Sequence, residues 1–456
     1  MSESPRKPAK ANVLPTRPIE RLLTPFQRFL HIQAASGIVL LLCTAIALYL
    51  ANSAWAESFA AFWHTEITLS IGAWKLEGSI GHLIVNDGLM TIFFFVVGLE
   101  IKREIVTGEL SEFRKALLPV VAAIGGMVVP AIVYLMFQYG EPGERGWAIP
   151  MATDIAFVVG FLALFGDRVP VGLKIFLLSL AIVDDLGAIL IIALVFSDSL
   201  AWNWLALAGV GFALTWLFNK IGVRSVFVYL IIGFFIWLAF LTAHVHPTVA
   251  GVILGLMTPA KAWIGENTFT ELLRGVWSGD LEVDFTPDIQ SLNADRLQFA
   301  ARETTSPLTR LENMLHPWVA FVIMPIFALA NAGVKIDPSG LSDPVAMAVA
   351  AGLFIGKPVG ILLACFITIR LGWSALPRGV NWPMLAGGGC LAGIGFTMAL
   401  FLNALAFGGP EDLIHQVAGK IGTLSGSVIS SILGAVILIY VFRKPAAGLN
   451  QPAREG

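Results

Sequence analysis

Two adjacent aspartates, Asp184 and Asp185, sit in the middle of an otherwise uncharged apolar run from Ile175 to Phe196. A helix of roughly 20 such residues spans a bilayer. An ionised carboxylate at that depth is costly and is kept where it faces a cavity, a partner or an ion. Neighbouring residues on a helix point about 100° apart, so the two acids can address different groups. Lys357, in the run Phe354-Ile355-Gly356-Lys357-Pro358, is the lysine set deepest within an apolar segment, and the pair is its natural counter-charge. The competing reading is a lysine reaching out from a shorter helix. Small hard cations such as Na⁺ and Li⁺ prefer oxygen ligands. Loss of water favours the protonated form of a carboxylate, and a nearby ammonium favours the ionised one. Such oxygens can hold protons or one small cation in competition.

These residues need elements that break at membrane depth. The stretch Ala148 to Ala156 (AIPMATDIA) puts Pro150, Thr153 and Asp154 into one apolar run. Gly387 to Thr397 (GGGCLAGIGFT) carries glycine at a density that weakens a helix. Broken helices are tolerated in a membrane where they line a cavity or are shielded by protein. Their inner ends then carry partial charges. Asp154 is placed to neutralise facing N-terminal ends, and Lys357 the C-terminal ends.

The whole chain fits this setting. It is 57% hydrophobic and 13% charged, against roughly 25% charged in soluble domains. An all-α polytopic membrane protein follows, with no nucleic-acid surface and no cofactor motif. Cys43, Cys365 and Cys390 fall in apolar segments and read as buried thiols. Twelve transmembrane helices are expected at about 33–52, 82–101, 117–138, 148–165, 174–196, 201–219, 225–243, 247–260, 314–333, 344–369, 382–407 and 418–442. Lys and Arg concentrate in the loops on the N-terminal side, which places both termini in the cytoplasm. Residues 1–32 form a basic cytoplasmic tail, 33–442 the membrane domain and 443–456 a cytoplasmic tail. Alternation through Ile67, Leu69, Ile71, Trp74 and Leu76 predicts an external β-hairpin at about 65–80. An isolated hairpin is marginal, so it packs on something, a second copy being one candidate. The acidic connection at about 261–310 reads as a solvated insert with short helices. Ala122-Ala123 precedes Pro130 as Ala350-Ala351 precedes Pro358, a faint internal repeat of the kind found in transporters.

In the second span, Glu100 and Glu104 share a helix face and Arg103 lies close to it. The cluster reads either as a charged cytoplasmic mouth that senses pH or as an ordinary solvated helix end. His246 and His316 sit at membrane edges and read as packing residues before sensors.

The segments Asn86 to Met90 (NDGLM), Val97 to Glu104 (VGLEIKRE), Ala152 to Ala156 (ATDIA), Leu180 to Ala188 (LAIVDDLGA), Pro325 to Gly333 (PIFALANAG), Ile355 to Pro358 (IGKP) and Gly393 to Thr397 (GIGFT) together resemble the NhaA-type sodium/proton antiporter family. The likeness runs from about 35 to 442. It implies an inverted repeat of spans 3–5 and 10–12, with two discontinuous helices, spans 4 and 11, crossing at the midplane. It implies electrogenic, pH-regulated export of Na⁺ (Li⁺) in exchange for H⁺ across a bacterial inner membrane, by a transporter and not an enzyme. It implies a cation site at Asp184, Asp185, Thr153 and Asp154, with Lys357 paired to Asp184. Asp87, Glu100, Arg103, Glu104 and Glu312 would form the cytoplasmic entrance and pH-response region, and the hairpin a homodimer contact among membrane lipids. No metal is implied beyond the transported ion. The connection at 261–310 is longer than the family's usual loop, and Asn313 stands where members can carry a histidine. A sodium-coupled organic-anion symporter of the same fold is the alternative. Intramembrane aspartyl and zinc proteases are disfavoured because their motifs are missing.

Overall fold

The computed structural model describes residues 33–72, 74–196, 200–223, 225–265, 269–271 and 298–443. The N-terminal tail, the centre of the 261–310 connection and all but the first residue of the C-terminal tail lie outside them. In lipid every backbone N–H and C=O must be bonded within the protein, which makes long apolar runs helical. The described chain is accordingly mostly helical.

It opens with α1 (Gln33–Ala51) and the short α2 (Ala56–His64). An antiparallel hairpin of β1 (Glu66–Ile71) and β2 (Trp74–Ser79) follows, pairing Leu69 with Leu76 and turning through Gly72 at φ +62°. Then come α3 (Ile80–Val106) and α4 (Phe113–Gln138). A 3₁₀ segment, Pro142–Met151, leads into α5 (Ile155–Leu164). Next are α6 (Val171–Val195), α7 (Trp202–Ile221), α8 (Val226–Thr242) and α9 (Pro247–Met257). The chain ends with α10 (Pro307–Asn331), α11 (Pro344–Arg370), α12 (Trp382–Ala392), α13 (Phe396–Ala406) and α14 (Leu413–Arg443).

Among the described residues, 7 helices are long and apolar enough to cross a membrane. Three further pairs are bent at a short break, α1 with α2 by 113°, Pro142–Met151 with α5 by 43° and α12 with α13 by 44°. Burial sorts centre from rim. The apolar window of α6 is 61% buried, that of α7 only 11%. Leu207, Val210, Phe227, Leu230 and Phe234 on α7 and α8 turn outward, as side chains facing hydrocarbon do.

α4 and α11 cross so closely that a Cβ on Gly360 would stand 2.1 Å from the Gly125 carbonyl oxygen. This glycine contact fixes the height of Lys357, one turn earlier on α11. Three helices widen locally into π-turns, at Ile80–Leu89, Val319–Ile323 and Gly352–Gly356. The second and third end two residues before Pro325 and Pro358. A proline removes its own i→i−4 bond and its ring crowds that carbonyl. An i→i−5 turn relieves the clash and leaves the helix continuous.

Candidate functional site

The two broken segments lie against each other at their breaks. The Asp154 backbone N–H donates to the Ile394 carbonyl at 2.7 Å. Only glycine fits at 393, where a Cβ would come within 2.4 Å of the Leu353 carbonyl. Each break exposes a helix N-terminus and a helix C-terminus, whose unpaired groups need partners.

Asp154 serves both N-termini. One carboxylate oxygen accepts from the Phe157 N–H of its own helix at 3.3 Å. The other accepts from the Thr397 N–H at 3.1 Å and from the Thr397 hydroxyl. Ser427 on α14 accepts the Phe396 N–H at 3.1 Å. A negative group at a helix start also offsets the positive end of its dipole. The C-terminal ends are held by donors: Lys357 Nζ donates to the Met151 carbonyl, and the Thr153 hydroxyl lies 2.9 Å from the Ala392 carbonyl.

α6 carries the aspartates past this junction. Lys357 Nζ lies 2.7 Å from Asp184 Oδ2, and both side chains are wholly buried. The Thr153 hydroxyl is also 2.7 Å from Asp184 Oδ2. One hydroxyl proton thus faces two acceptors, the carboxylate and the Ala392 carbonyl. Asp184 Oδ1 is buried with no hydrogen-bond partner. Asp185 is 3% exposed, its side chain turned about 100° around the helix from that of Asp184. The structure therefore brings Asp154, Thr153, Asp184 and Lys357 into one bonded cluster with Asp185 beside it. Uncommitted carboxylate oxygen remains there for a proton or a small cation. Among the described residues no group of three or more His, Cys, Asp or Glu side chains has the geometry of a metal site.

The charged end of α3 joins α10. Arg103 pairs with Glu312, which is largely buried. Glu104 accepts the Glu109 N–H at 3.1 Å, and Glu100 lies one turn away, half-buried. Asp87 does not join this cluster. It lies at the other end of α3, next to the hairpin, with Oδ2 3.0 Å from His82 Nδ1 and Oδ1 3.7 Å from His246 Nε2. Twelve helical residues lie between it and Glu100, roughly 20 Å over thirteen steps of 1.5 Å.

Sequence reasoning missed three parts of the site. Ser427 accepts at a helix start, the Met151 and Ala392 carbonyls accept at helix ends, and an apolar run gives no sign of them. His82 was missed because residues five apart do not face each other on an α-helix.

Apolar helices wrapped around a buried lysine–aspartate pair define a multi-pass membrane protein with an ionic centre. Comparison with known proteins supplies the family. The model of the family described as "Na+/H+ antiporter 1" matches residues 27–438. The chain is 52% identical over 438 residues to the Na(+)/H(+) antiporter NhaA of Rhodopirellula baltica, covering 95% of this chain and 97% of that one. It is 48% identical over 451 residues to Na(+)/H(+) antiporter NhaA 3 of Acidiphilium cryptum, covering 97% and 96%. A solved structure of the sodium proton antiporter MjNhaP1 from Methanocaldococcus jannaschii aligns with a TM-score of 0.47 and 12% identity over 93% of this chain and 95% of that one. The protein belongs to the Na⁺/H⁺ antiporter 1 family, a family of transporters.

Proposed function

We propose that the protein exports Na⁺ or Li⁺ in exchange for protons, with Asp184 and Asp185 as the site where the two compete. The observation that carries this is the wholly buried Lys357–Asp184 pair at the junction of two broken helices, with Asp184 Oδ1 and Asp185 uncommitted beside it. Ionised, these carboxylates offer a hard cation the oxygens it prefers. Protonated, they release it. Opened alternately to each side, the same oxygens exchange one ion for the other. More than one proton per cation makes the exchange electrogenic, so a membrane potential drives it. Thr153 and Asp154 stand beside the cation. Glu100, Arg103, Glu104 and Glu312 form the cytoplasmic mouth, where a charge cluster responds to pH.

We read twelve spans in this chain, counting each bent pair once and including α8 and α9. The order continuous, broken, continuous occurs twice, in 113–195 and in 344–443, which supports an inverted repeat with the broken spans crossing near the midplane. Both termini then lie in the cytoplasm of a bacterial inner membrane. The exposed hairpin pairs two copies.

Everted vesicles with an acid interior and a pH-sensitive dye test the reading. Na⁺ or Li⁺ should alkalinise the interior, and Asp184→Asn/Asp185→Asn should abolish the response while the protein remains in the membrane. Wild-type vesicles that stay acid between pH 6.5 and 8.5 (the range in which a desolvated carboxylate titrates, roughly) would sink it.

A further inference from the structure

At the hairpin end of α3 a second buried carboxylate stands apart from the aspartate pair. Its setting is made by the π-turns of Ile80–Leu89. On an α-helix, residues five apart point about 140° away from each other. Where the bonds run i→i+5, they stack. His82 and Asp87 are five apart, and their Nδ1–Oδ2 distance is 3.0 Å. The His82 side chain is 67% exposed and that of Asp87 only 3%. The Ser79 hydroxyl, at the end of β2, accepts the His82 N–H at 3.2 Å, so His82 sits where the hairpin enters the bundle.

The groups around Asp87 are few. From α9, His246 Nδ1 accepts the Thr248 N–H at 3.4 Å. This leaves the proton of the neutral ring on Nε2, 3.7 Å from Asp87 Oδ1. From α8, Trp237 Nε1 donates to the Asp87 carbonyl at 3.0 Å. From α10, Asn331 donates to Asn86 at 3.0 Å. His82 and His246 are thus the titratable groups facing this carboxylate, and His82 is the one in reach of solution.

On the inner side the path is closed. The Phe401 ring meets His246 edge-on at 5.3 Å between centroids, and lies 5.4 Å from Phe94 and 6.1 Å from Phe327. All three phenylalanines are buried. Phe401 is one turn, about 6 Å, beyond Thr397, which holds Asp154. Three aromatic rings therefore separate Asp87 from the central cluster.

We infer that His82 and Asp87 form a proton-loading station at the hairpin-side mouth, gated from the central site by Phe94, Phe327 and Phe401. His82 takes a proton from water at Nε2 and passes the one on Nδ1 to Asp87 Oδ2. The histidine returns to neutrality and the carboxylate becomes a carboxylic acid, ready to move inward when the rings part. The pairing stands by itself; its use in loading rests on the antiport reading.

Two measurements on the full-length protein test this. The first is the ring-nitrogen NMR titration of the seven histidines, with His82 identified by its loss in His82→Gln. Asp87→Asn should lower the His82 midpoint by about one pH unit, the usual effect of removing an adjacent carboxylate. The second follows Na⁺-driven alkalinisation of everted vesicles as a function of lumenal pH. His82→Gln, on a mostly exposed side chain, should need at least about threefold more lumenal protons for half-maximal rate, with the half-maximal Na⁺ concentration unchanged. An unmoved His82 midpoint, or equal lumenal proton dependence in an exchanging protein, overturns the station alone. A wild type that exchanges nothing overturns the antiport reading, and the loading role with it, even if the midpoint moves.

Discussion

Lys357 is the residue on which most of the central cluster depends, because it donates to Asp184 and to the Met151 carbonyl together. Removing it leaves a carboxylate and a carbonyl buried without their donor. Breaking a buried pair from one side costs about 3–5 kcal/mol, so Lys357→Ala should lower the thermal midpoint of the detergent-solubilised protein substantially. Adding Asp184→Asn should recover part of that loss, since the stranded charge is then gone. Equal midpoints for Lys357→Ala and wild type would show that the pair is not formed. At this scale the pairing of Lys357 with Asp184 was readable in advance, because a lysine in one apolar run needs a counter-charge and the aspartates in another supply it. The place of Asp87 was not. Its neighbours in the chain, Asn86 and Gly88, suggest only a polar interruption, and its partner His82 comes into register through π-turns that no residue pattern announces.

At the level of elements, Pro150 and the glycines from Gly387 to Gly395 already argue for two broken helices, because they remove bonds or side chains that a continuous helix needs. What holds the breaks is less visible. Asp154 could be foreseen as a cap, but Ser427 belongs to the long α14 and looks like one small residue among many. The crossing of α4 and α11 is an element property too. A methyl on Gly360 has no room beside the Gly125 carbonyl. Gly360→Ala should cost about 1–3 kcal/mol through overpacking and, by shifting α11, pull Lys357 off Asp184. We expect a lower melting midpoint and at least about a tenfold loss of Na⁺-driven proton movement, the effect of roughly an ångström of misplacement or more. Retained transport at normal stability would show that the crossing is loose.

Across the whole molecule, apolar runs and loop charge make the multi-pass architecture legible, while the depth of each helix in the bundle is not. α4 and α6 have the same mean hydropathy, yet the apolar window of one is 39% buried and that of the other 61%, since the choice depends on partners far away in the chain. The hairpin is the part that projects from the helices. Deleting 67–77 should give monomers on native sizing that still exchange Na⁺ for protons in vesicles, and dimers of unchanged size would locate the contact elsewhere. The bond from Asp154 to the Ile394 carbonyl has a mechanical meaning as well. Together with the reach of Thr153 to Ala392 and of Thr397 to Asp154, it stitches the two broken segments at the points where each has fewest bonds of its own. On the antiport reading, a change in the side that the aspartates face would leave this seam shut and place the slip elsewhere, between the stitched pair and the helices around it.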